Sequence, residues 1–194
     1  MTKKELIDYI ASKTGIQRRD LIEKDVLLHR ILASLTENKD FSKNYVFKGG
    51  TCLIKCYLGY YRFSEDLDFT WIHQKIFEKK SENQIRRDLS KEITTLSKVL
   101  ETIAEKLELT FKADKQDSDF IEFGGNNKFV SFKLWYNSVE LGAEQFIKIQ
   151  INYVEKLMHA IKRGTAKNVL ERMNVKEMSF LFPEDTDIIR NISL

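Results

Sequence analysis

Two aspartates one residue apart, Asp66 and Asp68, flank Leu67 in a stretch where polar and apolar side chains alternate. On a strand, that spacing sends both carboxylates to one face and Leu67 and Phe69 to the other. Upstream, Lys48-Gly49-Gly50-Thr51 follows the strand-like run Tyr45-Val46-Phe47 and precedes an apolar helical segment. Adjacent glycines let backbone N–H groups close on an anion, and the start of a helix adds partial positive charge. A phosphate-cradling turn followed by two same-face carboxylates can hold a nucleoside triphosphate together with divalent cations, Mg²⁺ or Mn²⁺. Asp66 and Asp68 are the expected metal ligands and catalytic residues. Lys48, Gly49, Gly50 and Thr51 form the expected nucleotide-binding turn. Ser64 orients the loop ahead of the aspartates or contacts phosphate, and Arg62 meets phosphate or pairs with Glu65.

A second strand supplies a cation. In Glu144–Tyr153, Ile147, Ile149, Ile151 and Tyr153 alternate with Lys148, Gln150 and Asn152. If this strand neighbours the Asp66–Thr70 strand, the two polar faces merge into one floor beside the glycine turn. Lys148 would then stabilise charge on a transferring or leaving phosphate, a third catalytic role. Taken singly, each motif has a plainer reading: Asp-Leu-Asp as a solvated face, Gly-Gly as a turn, Lys148 as the wet side of an edge strand. Their order along the chain is what points to a site.

The elements that position these residues follow from periodicity. Leu6, Ile7 and Ile10 mark a first helix that closes near Gly15, and Leu21, Leu28, Leu32 and Leu35 stripe a second. Ile85, Leu89, Ile93, Leu96, Leu100, Ile103 and Leu107 define a long helix, with Ser81 and Gln84 as a capping box. Leu107–Phe111 turns strand-like, and Phe120–Phe123 with Lys128–Tyr136 makes a hairpin around Gly124-Gly125-Asn126-Asn127. The basic segment Lys156, His159, Lys162, Arg163, Lys167 and Arg172 is expected to be helical, with a solvated face as its default role and nucleic-acid contact as the alternative. Helices first, then strands interleaved with helices, indicate an α+β class with a mostly antiparallel or mixed sheet flanked by helices. With no Ser/Gly-rich linker and a single proline, Pro183, the expectation is one domain over residues 1–194: N-terminal helices at 1–40, a catalytic core at 44–153 and a C-terminal segment at 154–194.

Composition excludes some classes. No apolar run approaches the roughly 18 residues of a membrane span, and Met-Thr-Lys-Lys-Glu lacks the apolar core of a signal peptide, so the chain is expected to be soluble and cytoplasmic, with no membrane partner. The formal net charge of +3 is too small to argue for a nucleic-acid partner. Cys52 and Cys56, spaced i,i+4, have no second Cys/His pair at ligand spacing and are expected as small core residues rather than zinc ligands. His29, His73 and His159 lack partners at metal or triad spacing and are expected in core or surface roles.

Lys48-Gly49-Gly50-Thr51-Cys52-Leu53 followed by Arg62-Phe63-Ser64-Glu65-Asp66-Leu67-Asp68-Phe69 resembles the AbiEii/AbiGii toxin family of nucleotidyltransferases, within the polymerase-beta-like superfamily. Ile22-Glu23-Lys24-Asp25-Val26-Leu27-Leu28 resembles the helical stretch that precedes the glycines in that family, and the likeness spans about residues 20 to 155. It implies a minimal nucleotidyltransferase fold, with the Gly-Gly turn holding the triphosphate and both aspartates holding Mg²⁺. It further implies transfer of a nucleoside monophosphate to an acceptor, for some relatives the 3′ end of tRNA. The implied setting is a toxin–antitoxin or phage-defence system, with a separately encoded antitoxin that is often a helix-turn-helix regulator. Relatives commonly carry an acidic residue near the position of Gln150, and an amide supplies no formal charge there, which leaves Glu122 as the substitute candidate for a third carboxylate. The family's C-terminal helical region, with Lys and Asp motifs of its own, is expected about where the chain ends at Leu194.

Three functional classes follow: a metal-dependent nucleotidyltransferase toxin, which the residues favour; a non-catalytic nucleotide- or RNA-binding relative; and a DNA-binding regulator using residues 3–35. The last needs a basic exposed face on the second helix, against which Glu23, Asp25 and Glu37 stand.

Overall fold

Helical stripes and strand alternation meet across one sheet. The computed structural model describes residues 2–60, 62–172 and 186–191, with 171–172 and 186–191 as backbone. Helix α1 (Lys3–Thr14) is closed at its start by a capping box between Thr2 and Glu5, and at its end by Gly15 in the left-handed conformation (φ 72°). Helices α2 (Arg19–Glu37) and α3 (Lys39–Asn44) lead into strand β1 (Tyr45–Lys48). Helix α4 (Gly49–Leu53) starts at the glycine pair and continues into a π-helical turn, Ile54–Leu58. Strand β2 (Asp66–Trp71), a 3₁₀ turn (Gln74–Phe77) and the long helix α5 (Glu82–Lys106) follow. Ser81 and Gln84 form the expected capping box. Strands β3 (Ile121–Gly124), β4 (Phe129–Asn137), β5 (Glu144–Asn152) and β6 (Ile161–Ala166), helix α6 (Val169–Arg172) and strand β7 (Thr186–Asn191) complete the described residues.

The seven strands lie in the order β3-β4-β5-β2-β1-β7-β6. The pairs β2–β5 and β1–β7 are parallel and the others antiparallel, so the sheet is mixed and the class α+β, as expected. One sheet face, including Leu67, Phe69, Trp71, Ile147, Ile149 and Ile151, packs on Leu28, Leu32 and Leu35 of α2 and on the Ile85–Ile103 stripe of α5. A smaller cluster joins α1 to Ile22 and Val26 of α2 and to Val169 and Leu170 of α6. Burial of the three β5 isoleucines, each worth about 1.5–3 kcal/mol, fixes the strand's register. A slip of one residue would turn Lys148 into the core.

Two expectations change. The basic segment is not a helix: Ile161–Ala166 is an edge strand with Lys162 and Arg163 exposed, and His159 lies in the exposed connection before it. Charged side chains on an edge strand discourage pairing with another chain, and Gly164 and Thr165 weaken the helical alternative. Leu107–Phe111 contributes one isolated bridge, Thr110 to Trp135, rather than a strand. Helix α2 is not an exposed recognition helix, because Glu23 and Asp25 are buried. The Arg172 side chain, and Pro183 with the rest of 173–185 and 192–194 in the expected C-terminal segment, lie outside the described residues.

Candidate active site

The register of β2 against its neighbours decides which side chains share a face. Asp66 lies opposite Lys148, Asp68 opposite Gln150 and Thr70 opposite Asn152 on β5, while Lys48 of β1 lies opposite Asp68. Both aspartates, Lys48 and Lys148 therefore stand on one polar floor, half-buried, with the aromatic and aliphatic core beneath. Lys148 has no hydrogen-bond or ion-pair partner among the described residues.

The glycine turn is built against this floor. Gly49 has φ 73°, and a β-carbon there would meet Asp68 Oδ2 at 2.2 Å. A β-carbon at Gly50 would come within 2.8 Å of the Arg62 guanidinium and 3.3 Å of Ser64 Oγ. The two glycines thus face different sides of one small cleft, Gly49 toward the aspartates and Gly50 toward Arg62 and Ser64. Thr51 is buried, and its hydroxyl donates to the backbone carbonyl of Asp66, tying the first turn of α4 to the start of β2. That bond makes the Thr51 side chain a positioning group, with its backbone left to the turn.

Helix α2 braces the same cleft through three consecutive charges. Glu23 accepts from Ser138 Oγ (2.5 Å) and the Val139 N–H (2.9 Å), holding the loop that leads into β5. Lys24 pairs with Glu65 at 2.7 Å, beside Asp66. Asp25 pairs with Lys55 of the π-helical turn at 2.8 Å, with both side chains buried, and the Tyr60 hydroxyl bonds to each. Glu65 is thus engaged by Lys24. The Arg62 guanidinium lies beside Gly50.

Electrostatics give the aspartate pair an unusual balance. Burial, then the neighbouring Asp66 carboxylate, push the Asp68 carboxyl up to about 6, against the pull of Lys48 and Lys148. Two carboxylates side by side on a half-buried floor suit a divalent cation. Mg²⁺ needs one or two protein carboxylates when substrate phosphates complete its shell. No group of three or more His, Cys, Asp or Glu side chains arranged to hold a metal occurs among the described residues. Glu122 does not supply a third carboxylate: it lies three strand spacings from Asp68, about 14 Å, and is held by Lys133 at 2.5 Å.

The acid beside the site is Glu155, which was not among the residues expected there. Asn152 Oδ1 accepts from the N–H groups of Val154 and Glu155, folding the chain back after β5. The Glu155 carboxylate then accepts from Thr70 Oγ1 at 2.6 Å and pairs with Lys48. Burial pushes its pKa up, but the bonds from Lys48 and Thr70 outweigh this and hold it below the usual carboxylate range. The signal that the sequence offers for it is an Asx-type turn, Asn152-x-x-Glu155, at the end of the strand bearing Lys148.

His29 is buried in α2, His73 bonds Asn44 at 2.7 Å, Cys52 is buried and Cys56 is half-buried. No helix is long and apolar enough to cross a membrane among the described residues.

A family model described as nucleotidyl transferase AbiEii toxin, type IV TA system, matches residues 30–186. No curated protein and no solved structure matches the chain.

Proposed function

The chain belongs to the AbiEii nucleotidyl transferase toxin family of type IV toxin–antitoxin systems, and from that membership and the cleft we propose a metal-dependent transfer of nucleoside monophosphate from an NTP to an acceptor hydroxyl. The observation that supports the reading is the closeness of the Gly49 backbone to the Asp68 carboxylate, which brings the glycine turn and the aspartate pair to one cleft. Asp66 and Asp68 would hold Mg²⁺ or Mn²⁺, which when bound neutralises charge on the triphosphate oxygens. The turn at Lys48–Thr51, with Arg62 and Ser64, holds the triphosphate. Lys148, across from Asp66, adds a preorganised cation. In the reaction the acceptor hydroxyl gives up its proton to solvent as its oxygen forms a bond to the α-phosphorus, the bond from that phosphorus to the bridging oxygen breaks, and pyrophosphate leaves with its electron pair.

The acceptor we favour is RNA, tRNA included, and the working compartment is the cytoplasm, where NTP, tRNA and a cognate antitoxin meet. Incubation with each labelled NTP, Mg²⁺ and total RNA tests the reading. Label should enter RNA with pyrophosphate release, and EDTA or Asp66→Asn should abolish it. NTP binding without transfer to any acceptor would instead establish a non-catalytic nucleotide-binding relative, the alternative to which Gln150 in place of a carboxylate lends weight.

A further inference from the structure

The face that carries Asp66 and Asp68 does not end at β5. Across β4 the register extends it, with Lys133 opposite Lys148 and Trp135 opposite Phe146. The rings of Trp135 and Phe146 lie 4.9 Å apart at 57°, both half-buried, on a face where the other β4 and β5 side chains, Phe129 apart, are polar. Their neighbours along the strands, Leu134, Tyr136 and Ile147, turn to the buried side. The pair is held in place. The indole N–H donates to the Asp119 carbonyl at 2.8 Å, and the Lys133 ammonium sits 5.8 Å from the Phe146 ring centre. Lys133 is itself fixed by Glu122, so Lys148 is the cation on the aspartate side of the rings, while Glu144 lies beyond Phe146 on the far side.

The chemistry of transfer says what this surface faces. Entering and leaving oxygens lie roughly in line through phosphorus. The glycine turn follows β1 and meets Arg62 and Ser64 at Gly50, so on the nucleotidyltransferase reading the leaving pyrophosphate would lie on that side of the aspartates. The acceptor must then approach from the opposite side, over β5 and toward β4, which lies two strand spacings from β2, about 10 Å. A rigid aromatic pair on that line of approach, with Lys148 between it and the aspartates, suits an unstacked base.

We propose that Trp135 and Phe146 form a stacking platform for a base near the 3′ end of a single-stranded RNA acceptor. The proposal rests on the nucleotidyltransferase reading for the direction of approach. It has a readout independent of turnover, because the other tryptophan, Trp71, is buried. Titration with a single-stranded RNA hexanucleotide should quench tryptophan fluorescence saturably, and Trp135→Phe should remove the quenching. Phe146→Leu, which keeps apolar volume but no ring, should weaken oligonucleotide binding and raise the KM for RNA by about 10-fold, within the range for losing one base–aromatic stack. The KM for NTP should not change, and Phe146→Tyr should restore RNA binding. The platform is overturned if wild type shows no quenching, if Phe146→Leu binds and uses RNA normally, or if the defect appears in the KM for NTP alone. Quenching by RNA without transfer to any acceptor keeps the platform and ends the nucleotidyltransferase reading. Transfer that ignores both rings ends the platform alone.

Discussion

Asp68→Asn removes a charge and almost no volume, and its effect on the metal-free protein can be worked out in sign and size. The Asp68 carboxyl is raised from 3.8 to about 6, first by burial and then by Asp66. A carboxyl whose folded pKa exceeds its unfolded value holds its proton more tightly in the fold. Its contribution to stability is full below about pH 4 and is lost as pH rises through 6. Each tenfold gain in proton affinity is worth about 1.4 kcal/mol, so a rise of this size sets a ceiling of about 3 kcal/mol. Asp68 is still partly open to solvent, and screening reduces the expected value to about 1 kcal/mol. For a domain of this length that corresponds to about 2–4 °C. In EDTA at pH 7.5, Asp68→Asn should therefore melt about 2–4 °C above wild type by calorimetry, and the gap should close as pH falls from 6 to 4. Added Mg²⁺ should raise the wild-type Tm and leave the variant unmoved, while transfer is abolished. A variant that melts below wild type in EDTA at pH 7.5, or that still responds to Mg²⁺, would refute the electrostatic account of the pair.

Gly49→Ala should reduce transfer more than 100-fold and lower the Tm, because the new methyl group meets Asp68 Oδ2 at 2.2 Å on a backbone with φ 73°; steady-state kinetics and a melt measure both. Lys148→Met should weaken NTP use by about 10²–10³-fold with little change in Tm, the scale for losing one preorganised electrostatic contact; wild-type NTP kinetics in that variant would return Lys148 to a surface role. Asp25→Asn should cost about 3–5 kcal/mol in urea unfolding, since it leaves the buried Lys55 ammonium without its counter-charge. Lys24→Ala, which breaks the pair with largely exposed Glu65, should cost less than about 1 kcal/mol in the same assay.

Local periodicity carried much of the fold. The stripes of α2 and α5 and the alternation in β2 and β5 are each enforced by a buried side that the residue types declare. The pairing of β2 with β5 could be expected only as a condition, because register between strands far apart in sequence is a property of the folded chain. The cleft was legible where glycines and aspartates sit close in sequence, and illegible where partners come from afar. Glu155 meets Lys48 across 107 residues, and Glu23 meets Ser138 across 115. A burial requirement hid the rest: Glu23 and Asp25 look like a solvated acidic turn of helix until Ser138 and Lys55 come to satisfy them. The basic segment after Glu155 misled because charge spacing alone does not distinguish an exposed helix from an edge strand.

Gln150, between Asp68 on β2 and Ser131 on β4, has a consequence that lies in the genetic code. Glutamine and glutamate codons differ at their first base, so a single transversion would put a third carboxylate on the floor. That carboxylate would adjoin Asp68, whose proton affinity is already raised, and the metal-free chain would bear added repulsion at neutral pH. The amide instead adds no charge beside Asp68 and donates toward Ser131 Oγ at 3.4 Å. The three-acid version stays one mutation away, open to selection wherever tighter cation capture outweighs a weaker apo state.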